Sequence, residues 1–373
     1  MKKLCCVMFI ILIFTSMPVC AQLSVSAMSC VLIEALTGKV LYEKNADVIM
    51  PMASTTKLIT ALAIRECCSL DEIVTVSEAA AHTEGSSANL TAGEHLTVEQ
   101  LLYALLLSSG NDAAEALAEH AFDGNREQFI NYMNQYAGEL GLKNTHFTNP
   151  SGLPDDEHYT TARELAEMGR LANKDPVISR IVAAKNISFS TPDDVIHSYT
   201  NHNSLLRMCP YATGLKTGYT KAAGRCLVSS AEKDGVELIC VTLNAPNDWN
   251  DHMRLFEYGF SQVYMKCRYQ IHDVEVPVKV IGGVKDEIKA YNAVPIYLPD
   301  IDGDENYQIQ CVIEPVLFAP IVKGQTVGKC HVLLNGRFIS CSDLVAHASM
   351  ESRSVSDISI LKEIKRILKF LLL

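Results

Sequence analysis

Apolar and polar positions divide the chain into blocks of different rhythm. Lys2 and Lys3 precede an apolar run from Leu4 to Phe14, and small residues follow at Pro18-Val19-Cys20-Ala21. This is the layout of a secretory signal with cleavage expected after Ala21, the apolar run being short for a membrane span. Two apolar-rich runs, Cys30-Val31-Leu32-Ile33 and Lys39-Val40-Leu41-Tyr42, flank Thr37-Gly38 and predict a hairpin over 29–45. A helix is predicted from Ser54 to about Glu66, and another over Val98 to Leu107, where Thr97 can cap the run with Gln100 three residues on. That second block breaks at Ser108-Ser109-Gly110-Asn111 and resumes from Asp112 through Ala121. A loop around Asn149-Pro150-Ser151-Gly152 leads into a helix near Thr160-Thr161-Ala162-Arg163. Cys226 to Ala231 and Glu237 to Asn244 read as strands joined across Lys233-Asp234-Gly235.

After Phe260 the rhythm shortens to alternating stretches such as Val274-Glu275-Val276-Pro277-Val278 and Gln308-Ile309-Gln310-Cys311-Val312, punctuated by Gly282-Gly283 and Asn335-Gly336. A small all-β domain over 268–343 is expected, with no catalytic cluster in it. In the tail, Ile360, Leu361, Ile364, Ile367, Leu368 and Leu371 fall on one face at helical spacing, with Lys362, Lys365, Arg366 and Lys369 opposite. An in-plane amphipathic helix over 355–373, lying on an anionic membrane surface, is the expectation. The resulting division is a signal segment 1–21, a main domain 22–265, the β-rich domain 268–343 and the tail helix.

A chain of 373 residues has length for two domains. Its net charge of −11 argues against a nucleic-acid binder, which would carry a basic stripe. Ten of the 13 cysteines follow Ala21, none in the close spacing of a zinc or redox motif. Most sit in apolar runs such as Leu238-Ile239-Cys240-Val241 and are expected to be small buried hydrophobes.

Three clusters carry candidate chemistry. Ser54 and Lys57 lie three residues apart at a helix start, so the lysine can reach the serine hydroxyl and, when buried, take its proton. The same spacing recurs at Ser230–Lys233 and Ser359–Lys362, so spacing alone does not select Ser54. Ser109 and Asn111 project a hydroxyl and an amide from a turn between helices; Ser87-Ala88-Asn89 repeats the spacing without the flanking helices. In Lys216-Thr217-Gly218 the lysine supplies charge, the threonine hydroxyl can bind a carboxylate, and the glycine permits close approach of a substrate backbone. His158 is expected to be a surface or structural histidine.

Ser-x-x-Lys, Ser-x-Asn and Lys-Thr-Gly in this order are the signatures of penicillin-recognising serine acyltransferases. The stretches Pro51–Thr60, Leu101–Ala114, Asn149–Ala166 and Gly214–Thr220 closely resemble the D-alanyl-D-alanine carboxypeptidases, the low-molecular-mass penicillin-binding proteins. Phe318-Ala319-Pro320-Ile321-Val322-Lys323-Gly324 and Val327-Gly328 resemble that family's C-terminal domain. The resemblance implies an α/β (α+β) serine β-lactamase/transpeptidase-like domain, then a small all-β domain and a C-terminal amphipathic anchor. It implies Ser54 as nucleophile, Lys57 as general base and Ser109 as proton relay. Asn111, Lys216, Thr217, Gly218 and Tyr219 would bind substrate, with the Ser54 and Tyr219 N–H groups as oxyanion hole. Expected partners are peptidoglycan stem peptides ending in D-Ala-D-Ala, β-lactams as acylating inhibitors, and the membrane surface outside the cell; neither metal nor organic cofactor is implied. Some relatives bind the substrate carboxylate through an arginine after Lys-Thr-Gly, where this chain has Pro246-Asn247-Asp248-Trp249-Asn250-Asp251 and its nearest arginine is Arg254. Another relative's arginine is matched here by His202. A serine β-lactamase and an inactive wall-binding protein on the same fold stand as alternatives.

Overall fold

The computed structural model describes residues 23–303 and 305–353; the expected signal segment and tail helix lie outside the described residues. Among the described residues, no helix is long and apolar enough to cross a membrane.

The hairpin forms as expected, β1 (Ser29–Glu34) pairing antiparallel with β2 (Val40–Lys44). Every residue of β1 is buried, because its other edge pairs with β6 (Val236–Leu243) and both faces are covered. Beyond β6 lies β5 (Gly224–Lys233), and along its outer edge run two short strands in succession, β3 (Ala212–Gly214) and β4 (Thr217–Thr220). The sheet order is therefore β2-β1-β6-β5, closed by β3 and β4.

Alternate residues of the sheet feed two cores, as the two-residue strand period requires. Val31, Ile33, Val228, Ile239 and Val241 face the helical block, whereas Leu32, Leu227, Leu238 and Cys240 pack with Leu255 and Phe256. Each such side chain, fully buried, contributes about 1.5–3 kcal/mol. The helical block comprises α1 (Lys57–Cys67), α2 (Val98–Leu107), α3 (Asn111–Ala121) and α4 (Ala162–Lys174); α5 (Asp248–Gln262) covers the opposite face. The expected cap on α2 is reciprocal: the Gln100 N–H donates to Thr97 Oγ1 at 3.1 Å and the Thr97 N–H to Gln100 Oε1 at 2.9 Å. Six of the ten thiols after Ala21 are buried, namely Cys30, Cys68, Cys209, Cys226, Cys240 and Cys330.

The all-β domain is present. Its strand order is Tyr307–Ile313, Thr326–Leu334, Arg337–Ala346, Glu287–Asn292, Glu275–Ile281 and Leu317–Phe318. No flexible linker precedes it: α5 passes at Val263 directly into the strand Tyr264–Tyr269, which pairs with Ile296–Asp300. Strands therefore span 264–346, slightly wider than the alternation alone indicates. Lys39, in the turn of the first hairpin, bridges to Asp302 and Glu305 and ties the two domains together.

Candidate active site

Ser54 sits on a short 3-10 turn, Ala53–Thr56, immediately before α1. The threonines around it pin that turn: Thr55 Oγ1 donates to the Met52 carbonyl at 2.6 Å and Thr56 Oγ1 to the Ala53 carbonyl at 2.8 Å. His158 is structural and buried, its Nε2 lying 2.8 Å from Thr56 Oγ1 while its Nδ1 accepts the Thr148 N–H at 3.1 Å. Nε2–H is then the donor, a neutral tautomer, and burial pushes the group down to about 4.

A second buried histidine, His252, lies between Ser229 and Thr242 and is pushed down to about 3 by burial. An unfolded chain protonates both near 6.5, so between that pH and the native values the unfolded state binds more protons and stability falls on acidification. Each histidine contributes a slope of about 1.4 kcal/mol per pH unit in that window. Urea midpoints measured from pH 7 to 4.5 are expected to fall, and His158→Gln to flatten the slope; an unchanged slope would refute the assignment.

Lys57 is completely buried at the start of α1. Its Nζ lies 3.1 Å from Ser54 Oγ, 2.7 Å from Asn111 Oδ1 and 2.6 Å from the Ser151 carbonyl. Both acceptors are aimed by their own surroundings. Asn111, the first residue of α3, gives its Nδ2–H to the Glu84 carbonyl at 2.7 Å, which turns Oδ1 toward the lysine. Asn149 Oδ1 gathers the N–H groups of Ser151, Gly152 and Leu153 and folds that loop so that the Ser151 carbonyl points inward. Burial first, then the nearby Lys216 charge, hold the Lys57 amine well below the usual lysine range.

The three clusters converge, but not all their members face the same space. Ser54, Ser109, Thr217, Gly218 and Tyr219 line one cleft of about 290 Å³. Ser109 has a positive φ of 61°, as does Ala53 at 49° and Leu215 at 76°; one such residue stands in or beside each cluster, where strain of about 1–3 kcal/mol is held by the surrounding fold. Lys57, Lys216 and Asn111 do not line the cleft; Asn111, expected to bind substrate, is buried with its amide engaged by Lys57 and the Glu84 carbonyl. Lys216 is 1 % exposed, donates to the Thr217 carbonyl at 2.9 Å and is pushed down to about 7 by burial.

Strand geometry explains the division. Lys216 and Val228 exchange both backbone hydrogen bonds at 2.9 Å, so antiparallel alternation makes Tyr219–Arg225 a pair without mutual hydrogen bonds. The Tyr219 N–H therefore points off the sheet edge. Side chains of Thr217, Tyr219 and Arg225 share one face, and Lys216 lies on the other, toward Lys57. Gly218 has a reason internal to the chain. A β-carbon there would lie 3.0 Å from the Ser54 nitrogen and 3.1 Å from that of Thr55, so the chain's own nucleophile turn fills the space.

Ser87-Ala88-Asn89 serves the fold rather than the cleft, since Asp112 on α3 accepts from Ser87 Oγ at 2.6 Å and from the Ala88 N–H at 2.9 Å. Arg225 was absent from the sequence-based candidates and is found at the cleft wall beside Trp249 and Asp248, with His202 also lining it. Its Nε donates to Asp248 Oδ1 at 2.9 Å, and its guanidinium carbon lies 5.4 Å from the Trp249 ring centre. Hairpin register held the missing signal, since β4 and β5 set Arg225 opposite Tyr219.

An antiparallel sheet between helical layers, with a serine on a helix-initiating turn beside a buried amine, is the arrangement of a serine acyl-transfer site. Residues 16–247 match the family model described as D-alanyl-D-alanine carboxypeptidase, and residues 269–352 match the C-terminal domain of penicillin-binding protein 5. The D-alanyl-D-alanine carboxypeptidase DacF of Bacillus subtilis is 34% identical over 341 residues, covering 89% of this chain and 87% of its own. DacC of Escherichia coli is 33% identical, covering 88% and 85% respectively. Among solved structures, the D-alanyl-D-alanine carboxypeptidase DacD from Francisella tularensis superposes with a TM-score of 0.63 at 27% identity, over 89% of this chain and 95% of its own. The chain belongs to the D-alanyl-D-alanine carboxypeptidase family of serine peptidases.

Proposed function

We propose that this chain removes the terminal D-alanine from peptidoglycan stem peptides through an acyl-enzyme on Ser54. The observation that carries this reading is the environment of Lys57. A neutral amine has two N–H bonds and one lone pair, and Asn111 Oδ1 and the Ser151 carbonyl, both acceptors only, take the two N–H bonds. The lone pair is left for the Ser54 hydroxyl at 3.1 Å. Ser54 Oγ attacks the carbonyl of the penultimate D-alanine as its proton passes to Lys57. The Ser54 N–H and the outward Tyr219 N–H bind the oxyanion. Lys57 passes that proton through the Ser109 hydroxyl to the departing nitrogen, the C–N bond breaks and D-alanine leaves, and water, giving its proton to Lys57, then hydrolyses the ester. Lys216 acts from behind the strand, its charge disfavouring protonation of Lys57.

Arg225 and Thr217 receive the terminal carboxylate. With both lysines buried and held below the usual range, Arg225 is the permanent cation on the cleft wall. Arg225→Gln is expected to lower kcat/KM for a peptide ending in a free carboxylate about 10–100-fold, mostly through KM, at about 1.5–3 kcal/mol for a charged hydrogen bond. The same substrate carrying a terminal amide should lose little; equal losses on both would refute the assignment.

The experiment for the whole reading is D-alanine release from an acylated D-alanyl-D-alanine peptide, beside labelling by a fluorescent penicillin. Release with a slowly decaying label is expected. Rapid penicillin turnover without peptide cleavage would make the protein a β-lactamase. The tail beyond the described residues is proposed to hold the enzyme on the outer face of the cytoplasmic membrane. The full chain should then co-sediment with anionic vesicles and a chain ending at Arg353 should not; equal sedimentation would exclude the anchor.

A further inference from the structure

The far ends of the two helices that meet at the catalytic amine also meet each other. Lys57 opens α1 and Asn111 opens α3, and their side chains touch at 2.7 Å. At the other end, Cys68 follows the last turn of α1, its N–H donating to the Ile64 carbonyl, and His120 lies in the last turn of α3. The two helices therefore run side by side in the same direction. Between their C-terminal ends stands Glu72, from the turn that leads into the strand Ile73–Thr75.

Among the described residues, Cys68, Glu72 and His120 form the one group of three cysteine, histidine or acidic side chains whose ligand atoms all lie within 4.8 Å of one another. The carboxylate is oriented before any ligand arrives. One oxygen, Oε1, accepts the Ser69 N–H at 2.6 Å, while Oε2 faces His120 Nε2 at 2.9 Å. We propose that this cluster binds a divalent transition cation of the zinc class and staples α1 to α3 at the end opposite the nucleophile.

The chemistry of the donors selects the cation. Sulfur, imidazole nitrogen and one carboxylate oxygen make a borderline-soft set that suits zinc and leaves a fourth position for water, whereas magnesium and calcium require oxygen donors. Ligand atoms around a tetrahedral zinc, with bonds of about 2.0–2.3 Å, stand roughly 3.3–3.7 Å apart. The present spacings, 2.9 Å at the His–Glu contact and at most 4.8 Å overall, bracket that value, so small side-chain shifts suffice. On binding, the Cys68 thiol releases its proton to solvent and becomes the thiolate ligand, and His120 exchanges its contact with Glu72 for the metal. Eleven residues of helix, about 16 Å, separate this site from Lys57, so the cation touches none of the reacting groups.

The test uses the full chain, reduced and freed of metal by a chelator, titrated with cobalt(II) and then zinc(II). One equivalent of cobalt should produce a strong near-ultraviolet thiolate-to-cobalt band that zinc bleaches. Cys68→Ser should abolish the band, Cys67→Ser should keep it, and His120→Gln should weaken cobalt binding at least about tenfold. Zinc at about 100 times its dissociation constant should raise the thermal midpoint by about 5 °C or more. Penicillin labelling of each metal-free variant checks that it has folded, since none of these residues belongs to the cleft. Absence of the band in the folded wild-type chain, or a band that survives Cys68→Ser, would overturn the proposal. Because labelling and cobalt absorption are separate readouts, failure here leaves the reading of Ser54 untouched.

Discussion

Ser54→Ala is expected to fold normally, bind substrate and lose both penicillin acylation and D-alanine release, by a factor of at least about 10⁴. The fold should survive because the nucleophile turn is held by Thr55, Thr56 and His158, and the Ser54 hydroxyl adds only its contact with Lys57. The chemical loss is complete because no other hydroxyl takes its position. Ser109 also lines the cleft, but it stands on the turn before α3 and not on the Ala53–Thr56 turn beside Lys57. Fluorescent-penicillin labelling followed by gel electrophoresis measures the outcome directly. A labelled Ser54→Ala protein would remove Ser54 as the nucleophile.

Lys57→Ala should lose nearly as much, about 10²–10⁴-fold in acylation rate, while leaving the hydroxyl in place. It should also lower stability, since Asn111 Oδ1 and the Ser151 carbonyl would each lose a buried partner at about 1–3 kcal/mol. The two substitutions act on one unit, so Ser54→Ala with Lys57→Ala should be little worse than either alone. The base is active when neutral. The wild-type acylation rate should therefore rise with pH as Lys57 loses its proton, along a limb well below the usual lysine range. Removing the like charge behind it relieves the repulsion, so Lys216→Gln should raise the Lys57 pKa and move that limb to higher pH. A limb that stays in place, or moves down, would show that Lys216 does not tune the base. Stability has the same sign: a lysine depressed in the native state lets the unfolded chain bind more protons up to about 10.4, so this group destabilises the fold less as pH rises.

Local rules account for much of what was legible before the fold was known. The capping box of Thr97 and Gln100, the hairpin around Thr37-Gly38 and the alternating strands after Phe260 each depend on neighbours within a few residues, and each formed where its pattern lay. The order Ser54–Lys57, Ser109–Asn111, Lys216–Gly218 likewise named the elements that meet in the cleft. Only the tertiary structure decided where those side chains stand. Burial, which no spacing reports, placed Lys216 behind its strand and lowered both lysines, although the residue type suggested a charge facing the substrate. Strand register turned the Tyr219 N–H outward and brought Arg225 to the cleft wall that His202 also lines, whereas the family pattern directs attention to the 246–251 stretch, whose nearest arginine is Arg254. Close packing against the nucleophile turn gives position 218 a reason for glycine that no sequence spacing shows. The reason is physical: periodicity and capping are fixed by contacts a few residues apart, whereas dielectric environment, proton affinity and the meeting of Lys57 with Asn111, Ser151 and Lys216 arise between segments 54 to 159 residues apart.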